Sequence, residues 1–144
     1  MFTRILYPTD FSDVSKKALV YIKQLKEAGT KEIVVLHVID ERQIEAVTLY
    51  GRGDYHVFIN KMEKEAEREI GLIEKELRKI GFAVKLRIET GIPLSEILRV
   101  EEDEGVSAII LGSHGKTNIK EVFLGSVSEK VIRRSKNPVL VIKR

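Results

Sequence analysis

The run SAIILGSHGKTNIKEVFLGSV, from Ser107 to Val127, decides the fold. Ser107 to Leu111 is almost wholly apolar and too short for a helix. Strands covered on both faces of a parallel sheet read this way. The run then meets Gly112, and Gly112 to Leu124 is a glycine-punctuated loop with room for one helical turn. Gly125-Ser126 opens a helix that continues to Arg134. Strand, glycine loop and helix form the repeating unit of a parallel α/β sheet.

Working outward, the same alternation recurs. Phe2 to Tyr7 is a buried strand ended by Pro8. Ser12-Asp13 caps a helix whose stripe is Val14, Ala18, Tyr21, Ile22 and Leu25, with Gly29 as its stop. Ile33 to Val38 is a second buried strand. Asp40 to Phe58, with Gly51 and Gly53, reads as an irregular excursion holding one helical turn at most. A long helix follows, its stripe marked by Ile59, Met62, Ala66, Ile70, Ile73, Leu77 and Ile80, and Gly81 closes it. Val84, Leu86 and Ile88 alternate with Lys85, Arg87 and Glu89, which predicts one wet face and a place at the sheet edge. Gly91-Ile92-Pro93 turns into a short helix from Leu94 to Glu104. Asn137-Pro138 breaks the last helix, and Pro138 to Ile142 is the last strand. The order is β-α-β-α-β-α-β-α-β, an α/β fold with helices on both faces of a parallel sheet.

Bulk composition narrows the function. The 144 residues fit one domain, residues 1–144, able to bury a core without staples. There is no cysteine, so disulfides and thiolate metal sites are excluded. No apolar run approaches the ~20 residues of a membrane span. Met1 leads straight into a strand, not a signal peptide, and a cytoplasmic protein with no membrane partner is expected. The 25 basic and 22 acidic residues interleave at helical spacing, as in Lys61 to Lys79. That is a solvated helix face, not the clustered patch of a nucleic-acid binder. Abundant Lys and Glu with few Asn, Gln and Met fit a heat-adapted source.

Ligands of open α/β sheets sit beyond the carboxyl ends of the strands. Pro8-Thr9-Asp10, Ile39-Asp40 and Gly112-Ser113-His114-Gly115 follow the first, second and fourth strands, so they should converge. Glycines permit close backbone approach, and Gly125-Ser126 at a helix start offers N–H groups to an anion. The spacing is Gly112-x2-Gly115-x9-Gly125-Ser126, a phosphate cradle by type and placement.

This spacing, with a first strand ending in Pro-Thr-Asp, resembles the ATP-binding branch of the universal stress proteins, especially archaeal members. The resemblance runs through Arg4 to Ser12, Leu36 to Glu41 and Gly112 to Lys143. It implies a Rossmann-type fold of the adenine nucleotide alpha hydrolase-like kind, with a five-stranded parallel sheet in the order 3-2-1-4-5. It further implies a homodimer through the last strand. By position, Thr9 and Asp10 would lie beside the adenosine, and the Val38 backbone would meet adenine. Leu111 would line the pocket. Gly112, Gly115, Gly125, Ser126 and Val127 would hold ribose and phosphates. A divalent ion, Mg2+ or Mn2+, is implied on the phosphates.

Each residue also has a plainer reading. Asp10 could cap a helix. Ser126-x-x-Glu129 could be a capping box, which is compatible with phosphate contact. Gly115-Lys116-Thr117 is not a P-loop, because the position five residues before Gly115 is Ile110. Lys116 and Lys120 read as exposed loop lysines. His114 could touch phosphate, His37 reads as a satisfied core histidine, and the three histidines lack metal-ligand spacing. No nucleophile–base pattern is legible, and no catalytic residue is assigned. The expectation is therefore an ATP-dependent switch or sensor acting on a protein partner that the sequence does not name. Its alternatives are a slow ATPase or phosphotransferase using Ser126 or a loop threonine, an interaction module with an empty pocket, and a phospho-accepting receiver. The receiver is weakest, because Asp10 has no adjacent acidic residue. Segment 40–58, leaving the ligand side, is a candidate lid. Val139, Leu140, Val141 and Ile142 form an apolar edge strand, a hazard that pairing with a second copy removes.

Overall fold

The structure, a computed structural model, describes residues 1–49, 55–114 and 124–144. Its strands are β1 (Arg4–Pro8), β2 (Glu32–Asp40), β3 (Ala83–Gly91), β4 (Ala108–Gly112) and β5 (Val139–Ile142). Its helices are α1 (Asp13–Leu25), α2 (Glu41–Leu49), α3 (Tyr55–Ile80), α4 (Pro93–Glu104) and α5 (Ser126–Arg134). Every strand pair is parallel, and the sheet order is β3-β2-β1-β4-β5. This is the order the family resemblance implies.

Alternation along the central strands feeds two cores. Ile5, Tyr7, Ile33 and Val35 point to one face and pack with Ala18, Ile22, Ile70 and Leu77 of α1 and α3. Leu6, Val34, Leu36 and Ile109 point to the other and pack with Ile97, Val100 and Val131 of α4 and α5. Each such side chain contributes about 1.5–3 kcal/mol on burial. Both faces are covered, which is why these strands read as continuous apolar runs.

Several boundaries and faces differ from the sequence expectation. In α1 the buried residues are Val14, Ser15, Ala18, Leu19 and Ile22, while Tyr21 is 41% exposed. Ser15, Leu19 and Ile22 follow the sheet contact at helical spacing, and Tyr21 lies off that line. The helix ends at Leu25, and Gly29, at φ +98°, sits in the following turn. The expected irregular excursion after β2 contains the nine-residue helix α2, and α3 starts at Tyr55, earlier than expected. Asp40 caps α2 by accepting the Arg42 N–H at 3.0 Å, and Ile44 anchors it, 2% exposed. Among the described side chains of α2 only Ile44 is buried, which leaves no periodic stripe to read.

β3 is at the sheet edge as expected, but its charged face is not simply wet. Arg87 and Glu89 are half-buried. Arg87 donates to Glu89 at 2.6 Å and to the buried Glu104 of α4 at 3.0 Å. Lys85 and Arg4 also reach Glu104, at 2.9 and 2.8 Å. The alternating charges thus dock α4 instead of facing solvent alone. Gly51, Gly53, Gly115, Lys116, Thr117 and Lys120 lie outside the described residues.

Candidate functional site

The strand order reverses between β1 and β4, and there the sheet splits. The β1–β4 register covers only Ile5↔Ala108 and Leu6↔Ile109. By strand alternation Pro8 would direct its next donor towards β4, and proline has no N–H to give. Beyond that split lies a cavity of about 550 Å3. Its size falls in the ordinary range of small-ligand sites.

Residues from four elements meet there. Pro8, Thr9 and Asp10 come from the end of β1, and His37, Val38, Ile39 and Asp40 from β2. Leu111, Gly112 and His114 come from β4, and Gly125, Ser126, Val127 and Ser128 from the entry to α5. Every expected pocket position within the described residues lies on this one cavity, and Gly115 falls outside them. Sequence reasoning missed Ser15, Arg42, Gln43, Met62, Pro93 and Ile97. Pro93 carried a usable signal, since Gly91-Ile92-Pro93 also follows the carboxyl end of a strand.

The turn from β1 into α1 is held by its own side chains. Thr9 Oγ1 accepts the Phe11 N–H at 3.0 Å and the Ser15 hydroxyl at 2.6 Å. Asp10 Oδ1 accepts the Ser12 N–H at 3.0 Å. Ser12, not Asp10, caps α1, accepting the Ser15 N–H at 3.2 Å. Asp10 instead closes a turn two residues earlier and borders the cavity. Phe11 sits at φ +65°, a left-handed conformation costing about 1–2 kcal/mol for an ordinary side chain. Its ring stacks on His37 with centroids 4.3 Å apart. His37 is therefore satisfied but is no core residue: it is half-buried and lines the cavity.

Across the cleft, α5 begins without a side-chain cap. Gly125 is its N-cap and Ser126 its first helical residue, so the expected Ser126–Glu129 capping box does not form. A box needs its serine one position earlier, and Glu129 pairs with Arg133 at 3.0 Å instead. α1 and α2 have side-chain caps from Ser12 and Asp40, whereas the first-turn N–H groups of α5 are left for a ligand or water. The Gly125 N–H donates to the Ser113 carbonyl at 2.7 Å, and the Ser128 hydroxyl to the Gly112 carbonyl at 2.8 Å. These bonds fix the α5 N-terminus against β4. Gly112 has a packing reason as well: an added Cβ would lie 3.0 Å from Ser15 N and 3.1 Å from Val14 C.

Electrostatics complete the rim. Arg42 donates to both carboxylate oxygens of Asp40, at 2.9 and 2.7 Å. Those side-chain hydrogen bonds hold the Asp40 carboxyl below its ordinary pKa and raise that of Arg42. The opposite wall is backbone. The Thr9 N–H donates to the Leu36 carbonyl at 2.8 Å, so Leu36 directs its polar groups towards β1. Val38, two residues on, shares that direction, and the β1–β2 register has ended at Pro8↔Leu36.

A doubly wound parallel sheet with a cleft at its switch point, facing an uncapped helix N-terminus, defines an α/β protein arranged for a small anionic ligand. The chain belongs to the universal stress protein family, whose profile matches residues 1–143. It is similar to the universal stress protein MJ0577 of Methanocaldococcus jannaschii, 46% identical over 156 residues, covering 100% of this chain and 96% of that protein. The solved structure of MJ0577 superposes with a TM-score of 0.91 at 49% identity, covering 100% of this chain and 97% of the other. The Bacillus subtilis universal stress protein YxiE is 34% identical over 150 residues, covering 99% of this chain and all of that protein. At 20% and 18% identity the fold alone is shared with a universal stress protein solved in complex with cAMP and with an Arabidopsis thaliana member with AMP bound. Their TM-scores are 0.64 and 0.68, and they match 99% of this chain and 97% and 92% of theirs in turn.

Proposed function

We propose that this chain binds ATP in the cleft and works as a nucleotide-dependent regulatory switch. One observation carries the reading. An uncapped helix N-terminus faces, across the switch point, a strand whose backbone has run past its neighbour. The first suits phosphates, and the second suits the hydrogen-bonding edge of a base. Adenine would meet Val38, and ribose would lie beside Thr9 and Asp10. The phosphates would take the N–H groups at Ser126 and Val127, against the Gly125 backbone and with His114 beside them. Leu111 and Ile97 would supply apolar wall. Adenine nucleotides bound by two distant family members support the assignment.

Among the described residues no group of three or more His, Cys, Asp or Glu could hold a metal ion by itself. A Mg2+ or Mn2+ ion is therefore proposed on the phosphate oxygens, where it would offset their charge. The switching element is α2, which brings Arg42 and Gln43 to the cavity and is joined to β2 directly at Asp40. A switch requires the ligand to favour one arrangement of that element. Proteolysis within 41–58 should then slow when ATP is added, and equal rates would count against α2 as a lid. The two-copy assembly is proposed along β5, as one domain per chain.

The assignment is tested by Ser126→Asp. Ser126 is exposed at the first position of α5, where a carboxylate favours the helix. Stability should hold or rise, while calorimetric ATP affinity falls by roughly tenfold or more through repulsion of the phosphates. Unchanged affinity would remove the phosphates from α5.

A further inference from the structure

The parallel ladder between β1 and β2 ends in an unusual way. Its last backbone bond runs from the Thr9 N–H to the Leu36 carbonyl, at 2.8 Å. The next rung of a parallel ladder would run from the Val38 N–H back to the Thr9 carbonyl. That carbonyl is instead taken by the side chain of the intervening residue. His37 Nδ1 lies 2.8 Å from Thr9 O. A carbonyl oxygen only accepts, so Nδ1 carries the proton and donates it. The imidazole is held in place by the Phe11 ring, 4.3 Å away and tilted by 21°. Phe11 reaches that position only through its left-handed φ of +65°.

We infer that His37 is a positioning residue: by capturing the Thr9 carbonyl it stops the β1–β2 ladder one rung short. The stop leaves the Val38 N–H facing the cleft as a donor for a ligand. The backbone groups of a strand inside a sheet are normally spent on its neighbours, and a ligand can use them only where pairing is interrupted. β2 continues to Asp40 with its β3 partners intact, since Val38 pairs with Glu89 and Asp40 with Gly91. The interruption is thus confined to the side that faces the cavity. It needs no ligand to exist. The consequence for base recognition rests on the nucleotide reading above, but the interrupted rung does not.

Amide hydrogen exchange followed by NMR tests this. In the free wild-type protein the Val38 amide should exchange at least tenfold faster than the Val35 amide within the β2–β3 ladder, and added ATP should slow it. His37→Val keeps a good strand former but removes the donor. The Thr9 carbonyl is then open to Val38, so its amide should become protected without ligand. ATP affinity should fall by roughly threefold to tenfold, the worth of one neutral hydrogen bond, while thermal stability stays level or rises. His37→Asn places an amide donor near the position of Nδ1 and should restore both the fast exchange and the affinity. A merely structural histidine predicts the reverse: lower stability with exchange at Val38 unchanged. A Val38 amide already protected in the free wild-type protein overturns the inference without any variant. Fast exchange at Val38 combined with no ATP binding would overturn the nucleotide reading and leave the interrupted rung standing.

Discussion

Gly112 shows how one residue can serve packing and site together. Its missing Cβ lets the end of β4 lie against the first turn of α1, where the nearest atoms are backbone and cannot swing away. Gly112→Ala should therefore cost about 1–3 kcal/mol in urea denaturation, with α1 displaced from β4. An unchanged midpoint would mean that the glycine serves only a ligand. The sequence marked this position as a phosphate contact from its spacing. The close approach to α1 was not legible, because it depends on how two distant segments pack. Asp10 and Ser126 teach the same lesson. Both had a plausible capping role by local pattern, and in both the helix starts one or two positions away from where that role needs it.

At the scale of elements, long or continuously apolar segments were legible and short mixed ones were not. α3 announces itself because Ala66, Ile70, Ile73 and Leu77 repeat one face over many turns. α2 does not, since its first turn depends on a carboxylate borrowed from the preceding strand. Asp40→Ala should cost α2 about 1 kcal/mol and speed amide exchange there several-fold. An unchanged rate would mean that Ile44 alone holds the helix. β5 raises a different question. It is an edge strand, Leu140 is 47% exposed, and Ile142 is buried. Val139 and Val141 also pack against the α4–α5 core, so charges there would disturb the fold as well as any edge pairing. Leu140→Glu is the cleaner probe of a proposed β5–β5 interface, because like charges would meet across the two-fold axis. Wild-type dimer and variant monomer in sedimentation are expected. An unchanged dimer would place the interface elsewhere.

At the scale of the molecule, the cavity and the Glu104 charge cluster occupy opposite ends of the sheet. The cavity lies at the carboxyl edge, while Glu104 lies towards the amino edge and gathers Arg4, Lys85 and Arg87. Burial pushes the Glu104 pKa up, but hydrogen bonds from Lys85 and Arg87 and the charge of Arg4 outweigh it, so the net shift is downward. A carboxyl with a lowered folded pKa adds stability above its unfolded value and loses it as pH falls through the folded one. Its contribution should be complete at neutral pH and fade below about pH 4. Glu104→Gln should thus cost about 2 kcal/mol at pH 7, and the gap to wild type should narrow as pH approaches about 3. A gap independent of pH would mean that packing, not charge, is lost. The sequence offered this strand as alternating and wet. It could not show that α4 would lay a buried glutamate across three cations.

The central claim is that the cleft at the switch point holds an adenine nucleotide. Its most direct test is to denature the purified protein and identify what is released, by ion-exchange chromatography and mass spectrometry. The account predicts ATP or ADP at close to one per chain, and their ratio over time separates a switch, which keeps ATP, from a slow hydrolase. A protein that releases no nucleotide and shows no thermal shift with ATP and Mg2+ or Mn2+ would contradict it.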